Sequence, residues 1–212
     1  MNIRWLIMFW SIMMQFNVKA QKQVGIGIYN YIDAGSEGAI QALGNIQTNN
    51  NWYAEFRYNY EEAKTLSVYC GRTFENGKAF QYSITPMAGF SAGRFTGVSF
   101  AFNADAKWKN FFLSSQTQYS MSTGVKKNNV ENFYFSWSEL GYNFSDYIFT
   151  GLAMQYTLQT DQNNFEPGYL VGVSFKNMSL PFYLFSPFHS DRYFILGFCY
   201  EFNLKKKKHP PL

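Results

Sequence analysis

Histidine is the side chain best suited to act as a base near neutral pH, and this sequence contains only two, His189 and His209. The segment SPFHSDR, residues 186–192, places Ser186, Ser190 and Asp191 beside His189. A serine hydrolase needs a nucleophile, a base and an orienting group that meet in space, which adjacency in a loop does not provide. A polar turn explains the same residues. We therefore predict no catalytic site, with His189 and Ser190 as a weak candidate for a lipase-like loop.

Metal and cofactor chemistry find little support in the sequence. No pair of His or Cys residues has the spacing of metal ligands, and GIGIYNY and GFSAGR lack the strand-to-helix context of a phosphate-binding loop. We predict no metal site and no cofactor. Cys70 and Cys199 are too few for a disulfide framework, and two unpaired thiols are favoured over a single bridge.

The remaining chemical groups lie on segments that alternate between apolar and polar residues. In NWYAEFRYNYEE, residues 51–62, Trp52 and Phe56 share one face of an extended chain, while Glu55 and Arg57 share the other. Turn residues separate many such runs, which predict about twelve strands, or ten, each near the roughly 10 residues that a tilted membrane strand needs. The runs are 51–62, 79–90, 95–106, 111–121, 147–159 and 192–204, with weaker ones at 24–32, 38–47, 65–74, 131–142, 166–176 and 179–185.

Alternation alone does not say which face is enclosed, because a soluble barrel and a membrane barrel share the pattern. The polar positions are mostly Ser, Gln, Asn, Gly and Thr, which suit a crowded hydrated lumen. Aromatic residues make up 21% of the chain and charged residues only 15%, against roughly 25% charged in an ordinary globular domain. We therefore expect the apolar faces to contact lipid. Candidates for the lumen are Glu55, Arg57, Arg72, Asp105, Gln116, Gln118, Gln155 and Glu201; candidates for the lipid-facing surface or its aromatic girdles are Trp52, Phe56, Tyr58, Phe100, Phe102, Phe198 and Phe202.

Two positions conflict with a regular pattern. Pro86 lies inside a predicted strand and cannot donate a ladder hydrogen bond, so we expect a bulge or a strand break there. Glu139 shares a face with Phe133, Phe135 and Trp137, which would direct it toward lipid unless a bulge shifts the register.

The ends of the chain carry separate signals. Residues 1–20 combine Arg4, an apolar run from Trp5 to Met14 and the ending Val18-Lys19-Ala20, which predicts a secretory signal peptide cut after Ala20. The ending KKKKHPPL predicts a basic, disordered tail over 205–212. Between Gln21 and Leu204 the chain holds 12 basic and 14 acidic residues. No basic groove remains to suggest nucleic acid.

The signal peptide, the hairpins across 38–203 and the final alternation Phe194, Leu196, Phe198, Tyr200, Phe202 resemble bacterial outer-membrane β-barrel proteins of the small porin-like class. The resemblance implies one up-and-down antiparallel transmembrane β-barrel over 21–204, in contact with outer-membrane lipid in a Gram-negative bacterium. It also implies that Phe202 is read by the barrel assembly machinery during biogenesis, although NLKKKKHPPL follows where barrels of this class end.

The sequence supports three functions in descending order. The first is a small pore or transport-related barrel for a solute that the sequence does not name. The second is a non-conducting structural or accessory barrel, and the third is a lipid-modifying enzyme.

Overall fold

The computed structural model describes residues 21–33, 39–123, 131–160 and 162–203. These residues fold almost entirely into strands joined by turns and loops, and none of them forms a helix long and apolar enough to cross a membrane. The strands are β1 Gln21–Asp33, β2 Ala39–Thr48, β3 Trp52–Tyr58, β4 Thr65–Arg72, β5 Phe74–Asn76, β6 Phe80–Gly93, β7 Gly97–Trp108, β8 Phe111–Ser122, β9 Phe133–Asn143, β10 Ile148–Leu158, β11 Asn163–Phe175, β12 Met178–Phe185 and β13 Tyr193–Asn203.

Twelve of these strands close into an antiparallel barrel. Neighbours in the chain are neighbours in the sheet, and β1 pairs with β13 from Gln23 opposite Asn203 to Asp33 opposite Tyr193. The pairing of β4 with β6 completes the ring, and the short β5 continues β4 in the same register along β6. The prediction of an all-β, up-and-down barrel of about twelve strands is confirmed.

Two prolines interrupt the hydrogen-bond ladders without breaking their own strands. Opposite Pro86, the pairs of β4 with β6 end at Gly71 and resume only at Phe74 in β5. Pro86 still faces Phe102 of β7, so β6 runs unbroken from Phe80 to Gly93. The ladder between β12 and β13 has the same kind of gap at Pro181. Proline has no N–H to donate, and in a closed barrel its missing donor leaves a gap on one side.

The two ends of the barrel differ in the length of their connections. At the end that holds Gln21 and Asn203, which we call the turn end, the connections are residues 49–51, 77–79, 109–110, 144–147 and 176–177. We call the opposite end the loop end. The longest connection there has ten residues, 123–132, between β8 and β9. The signal-peptide and tail predictions concern residues 1–20 and 205–212, which lie outside the described ranges and stay predictions.

The outer surface of the barrel is apolar. Each of the twelve barrel strands directs at least one large hydrophobic side chain outward, and Phe100 is 62% exposed. Glu55 and Arg57, in contrast, are only 0% and 2% exposed, inside the ring. Such a distribution is the reverse of a soluble barrel and is what a barrel surrounded by hydrocarbon requires.

Candidate functional site: the barrel interior

The residues proposed for the lipid-facing surface all lie on the outside of the barrel. Trp52, Phe56, Tyr58, Phe100, Phe102, Phe198 and Phe202 are each exposed there. Trp52 lies at the turn end of its strand, where an amphipathic ring suits the membrane interface.

The residues proposed for the lumen divide into three groups. Five of them face the interior of the barrel wall at mid-depth: Glu55, Arg57, Gln116, Gln118 and Gln155. Asp105 and Glu201 share the inward face of their strands but lie near the turn end, where they reach water.

Arg72 departs from the prediction, because it lies on the outer face. It follows the exposed residues Leu66, Val68 and Cys70 in the alternation of β4 and is itself exposed. Its position at the turn end of the strand explains why this is tolerated. Near the rim the outer surface meets headgroups and water, and a charge there costs about 0–1 kcal/mol rather than the cost at mid-membrane.

Buried charges form a compact network on one wall of the lumen, which we call the charged cluster: Glu55, Arg57 and Glu61. The Arg57 guanidinium donates to the carboxylate of Glu55 and to the amide oxygen of Gln118, and lies 3.5 Å from the carboxylate of Glu61. The side chains of all three charged residues are at most 1% exposed. Because two carboxylates surround one guanidinium, the cluster carries a net charge of −1.

Hydroxyl and amide groups complete the shell around these charges. Tyr53 donates to Glu55 over 2.5 Å, and Asn103 reaches Glu55 from β7 over 3.3 Å. Tyr69 donates to Glu61 over 2.9 Å, and Ser67 donates to the same carboxylate. Buried charges need such partners, because an unpaired ion in a low-dielectric interior is costly.

The connection between β3 and β4 folds into the barrel and narrows it. Its Tyr60 ring lies 4.5 Å from the Arg57 guanidinium carbon and packs edge-on against Phe135 with centroids 5.8 Å apart. The Tyr60 hydroxyl donates to Gln116 over 2.5 Å, and burial raises the pKa of this phenol, so that it stays a donor. Tyr60 therefore bridges the charged wall and the opposite wall, and we call this contact the constriction.

The opposite wall of the lumen is aromatic, which the sequence did not predict. Trp137, Ala153, Leu170, Tyr183, Phe185 and Ile195 form a buried group that we call the aromatic cluster. The Trp137 ring packs edge-on against Tyr183 at 5.1 Å and against Phe185 at 5.8 Å. The expectation of a uniformly polar lumen therefore holds for one half of the interior only.

Glu139 belongs to this wall, and its predicted direction toward lipid is wrong. Its carboxylate accepts hydrogen bonds from the Trp137 indole over 2.9 Å and from the Tyr183 hydroxyl over 2.8 Å. The ladders of β9 with β8 and β10 contain no register shift. The whole face of Phe133, Phe135 and Trp137 points inward instead, so the charge needs no bulge.

Inward-facing glycines make room for the rings. A Cβ atom on Gly141 would lie 2.1 Å from the Phe112 ring, and one on Gly172 would lie 2.2 Å from the Phe149 ring. The two rings meet edge-on with centroids 6.0 Å apart. Aromatic rings thus pack directly against the backbone of these glycines on the inner wall, which leaves more space in the lumen than packing against larger side chains would.

Two cavities open from this interior toward the turn end. The first, of 420 Å³, is lined by aromatic residues that include Tyr29, Tyr60 and Trp137. The second, of 370 Å³, is lined mainly by amide and hydroxyl groups. They share Ser114, Gln116 and Glu201, so they are two sides of one space, which we call the vestibule. Its carboxylates are Glu75, Asp105, Glu139 and Glu201. Among the side chains that the structure describes, no Lys or Arg lines these two cavities, and Lys107 and Lys176 line spaces that adjoin them.

Toward the loop end the described lumen is filled by side chains. Phe95, from the connection between β6 and β7, is fully buried and packs edge-on against Phe133 at 5.3 Å. Its backbone N–H donates to the Thr65 hydroxyl over 3.0 Å, which fixes the inward fold of this connection. The two cavities of the vestibule therefore lie on the turn-end side of the constriction, and packed side chains lie on its loop-end side.

The histidine loop does not assemble a hydrolase site among the described residues. Residues 186–192 form a turn in which the His189 N–H donates to the Ser186 carbonyl over 3.0 Å. The His189 and Ser190 side chains are exposed, and no hydrogen bond joins them. No group of three or more His, Cys, Asp or Glu residues in the described ranges could hold a metal ion.

The two cysteines are free and lie on opposite faces of the wall. Cys70 is exposed on the outer surface, whereas Cys199 faces the lumen with its sulfur 3.3 Å from the Tyr29 hydroxyl. Cys199 also lines the first cavity.

Several interior residues were missed by the sequence reasoning. Tyr60 and Glu61 lie beyond the end of β3, where alternation no longer indicates a direction. Hydrophobicity placed Trp137 on a lipid-facing side, and it gave no direction to Tyr183. The signal that was available is Glu139, because a carboxylate on an aromatic face indicates that the face is enclosed.

A closed antiparallel barrel with an apolar outer surface and buried charges inside defines the class of this protein: it is a transmembrane β-barrel of porin-like fold. Among solved structures, it is similar to the KdgM porin, with 13% sequence identity over 84% of this chain and 99% of that chain and a TM-score of 0.61. The KdgM porin in complex with disordered oligogalacturonate gives a TM-score of 0.62 at the same identity and coverage. The NanC porin gives 0.57, with 8% identity over 84% of this chain and all of that chain.

No protein-family model and no curated protein sequence matches this chain. At these identities the likeness to the solved porins concerns the fold.

Proposed function

We propose that this chain forms a narrow pore in the outer membrane of a Gram-negative bacterium and that it favours small cationic or neutral polar solutes over anions. The observation that carries the proposal is the vestibule, which four carboxylates line, while the described lysines nearest to it, Lys107 and Lys176, line adjoining spaces. Carboxylates along a pore raise the local concentration of cations and repel anions.

The orientation follows from the two ends of the barrel. Outer-membrane barrels place short turns in the periplasm and longer loops outside. The turn end, with the vestibule, would then open to the periplasm, and the constriction would lie between the vestibule and the loops. A solute that passes the constriction would enter a wider, acidic compartment before release.

The interior argues against extending the ligand of the KdgM complex to this chain. Oligogalacturonate is a polymer of carboxylated sugars and therefore a polyanion. The net charge of the charged cluster is negative, and so is that of the vestibule lining. Both would repel such a ligand.

Ion selectivity in a planar bilayer tests the proposal. In a KCl gradient, the refolded protein should give a reversal potential of the sign that indicates a higher permeability for K⁺ than for Cl⁻. Replacing Glu139 and Glu201 together with Gln should reduce that selectivity, whereas Glu131→Gln, an exposed position in the connection before β9, should leave it unchanged. Anion selectivity of the unaltered protein would overturn the proposal.

The second candidate is a non-conducting barrel, which the aromatic cluster favours because its buried side chains take up space along one wall of the lumen. The Tyr60→Ala variant separates the two candidates, since it removes the ring that bridges both walls. A narrow pore should gain conductance on this change, and Tyr58→Ala, on the outer face of β3 just before the connection that holds Tyr60, should not. Silence of the unaltered barrel and of Tyr60→Ala, with folding verified by heat-dependent gel mobility, would favour the non-conducting candidate.

A further inference from the structure

The first cavity of the vestibule offers aromatic surface to a solute. Six aromatic side chains line this 420 Å³ space: Tyr29, Tyr60, Phe112, Trp137, Phe149 and Tyr183. Four of them are partly exposed within the barrel, namely Tyr29, Tyr60, Phe112 and Phe149. Small-molecule sites measure roughly 300–1,000 Å³ and are lined largely by apolar and aromatic side chains. The cavity therefore has the size and the lining of a site for a small molecule.

Two of these rings are fixed in place by glycines. Phe112 lies against Gly141, and Phe149 lies against Gly172, at positions where an added Cβ would be 2.1 and 2.2 Å from the rings. The two rings also meet edge-on, with centroids 6.0 Å apart. A surface that is ordered before binding loses less conformational entropy when a ligand arrives.

The polar atoms of the aromatic side chains are already bonded within the protein. The Trp137 indole N–H and the Tyr183 hydroxyl both donate to Oε1 of Glu139. The hydroxyls of Tyr29 and Tyr60 also have partners. These side chains therefore offer ring surface to a ligand rather than hydrogen bonds. A primary ammonium group needs acceptors to replace its water, whereas a quaternary ammonium group has no N–H to satisfy.

The charge at this cavity is negative. Within the described part of the chain its charged lining consists of Glu139, which is partly exposed, and Glu201. Lys176 lines an adjoining space that shares Glu201. The donors to Glu139, Trp137 and Tyr183, are uncharged, so they hold its carboxylate without neutralising it. Rings around a cavity with a carboxylate in its wall suit a cation that is itself covered by apolar groups.

The protein already holds one cation against a ring of this cavity. The Arg57 guanidinium carbon lies 4.5 Å from the centroid of the Tyr60 ring. Arg57 does not line the cavity, and its charge is offset by Glu55 and Glu61. The charged cluster as a whole is negative, so it adds to the attraction of a cation.

We propose that the first cavity is a binding subsite for a small quaternary ammonium solute such as choline. The rings contact the methyl groups and attract the cation through their faces, and Glu139 balances its charge. The inference rests on the proposed pore, because the lumen is the route by which a solute reaches the cavity. It narrows the cations that the pore favours to those whose charge is covered by methyl groups.

Three probes of similar shape test the proposal by calorimetry on the full, refolded protein in a maltoside detergent, which carries no ammonium group. They are choline, the neutral alcohol in which carbon replaces the choline nitrogen, and ethanolamine, which keeps the charge and lacks the methyl groups. Choline should bind roughly two- to thirtyfold more tightly than its carbon analogue, the effect of cation–π attraction. It should also bind more tightly than ethanolamine.

Two variants separate the ring from the charge. Phe112→Leu keeps apolar bulk and removes a ring, so the preference for choline over its carbon analogue should fall at least about twofold. The matched control is Phe111→Leu, the neighbouring residue on the outer face of β8, which should bind like the unaltered protein. Glu139→Gln keeps an oxygen that accepts from Trp137 and Tyr183, and it should remove most of the same preference. This variant keeps the test decisive if Phe112→Leu does not fold.

The outcomes distinguish the subsite from the pore. Equal binding of choline and its carbon analogue by the unaltered protein, or binding of ethanolamine as tight as that of choline, would overturn the subsite. Cation-selective channels without choline binding would refute the subsite and leave the pore proposal standing. Choline binding with the expected preference by a barrel that does not conduct would support the subsite and refute the pore.

Discussion

Replacing Arg57 with Met should destabilise the barrel strongly, because it removes the only cation from the charged cluster. The change leaves the carboxylates of Glu55 and Glu61 inside the wall, where both side chains are 0% exposed. It also removes the hydrogen bond to Gln118 and the contacts of the guanidinium with the rings of Tyr60 and Tyr69, at 4.5 and 4.3 Å. Met reaches about as far as the Nε atom of Arg57 and keeps the packing of the aliphatic part of the side chain.

The magnitude follows from the burial of these charges. Removing one partner of a buried ion pair costs about 3–5 kcal/mol, because the remaining charge is neither paired nor hydrated. With a urea dependence of about 1–3 kcal/mol per molar, the midpoint of unfolding should fall by at least about 1 M.

Urea unfolding of the refolded protein in detergent, followed by tryptophan fluorescence, measures this change. Arg94→Met is the matched control, because Arg94 also pairs with a glutamate, Glu62, at 3.6 Å, but its side chain is 58% exposed. An exposed pair contributes about 0–1 kcal/mol, so its midpoint should barely move. Changing Glu55 and Glu61 to Gln together with Arg57→Met should restore much of the loss. Equal midpoints for Arg57→Met and Arg94→Met would refute the reasoning.

Two further predictions concern packing and sidedness. Gly71→Ala should lower the urea midpoint by the equivalent of about 1–3 kcal/mol, because the new Cβ would lie 2.2 Å from the Pro86 carbonyl oxygen. Gly44→Ala should leave the midpoint unchanged, because the atom nearest to its Cβ would be 4.0 Å away. Equal midpoints for the two variants would contradict this prediction. In single-cysteine variants analysed by mass spectrometry, a charged thiol reagent should label Cys199 through the vestibule, and Cys70 should react only with an apolar reagent. The opposite labelling would mean that the faces are reversed.

The sequence by itself determined the architecture. Side chains alternate with a period of two in every strand, and runs of about ten residues between turn signals therefore predict about twelve strands, or ten, and the two faces of each strand. The outward direction of Phe56 and Phe100 followed from composition, since charges as sparse as Glu55 and Arg57 do not suit a water-exposed surface. These properties are local, and neighbouring residues in the chain are enough to specify them.

The direction of β9 was decided by the tertiary structure. Its two faces carry Phe135 and Trp137 on one side and Ser136 and Ser138 on the other, so hydrophobicity predicts the wrong one. The structure turns the rings inward, where they pack against Tyr183 and surround Glu139, and turns the serines outward in hydrogen-bonded pairs with β8. The buried carboxylate is satisfied by Trp137 of its own strand and by Tyr183 of β12, and the outward hydroxyls are satisfied by the adjacent strand β8.

The narrowing of the lumen also depended on the closed barrel. Tyr60 meets Arg57 nearby in the chain, but it meets Gln116 and Phe135 only because closure brings β8 and β9 across the lumen from β3. Alternation ends with the strand and gives no direction to a connecting segment. The sequence therefore determined that there is a barrel, and the tertiary structure decided what fills it, because filling depends on side chains that face one another across the interior.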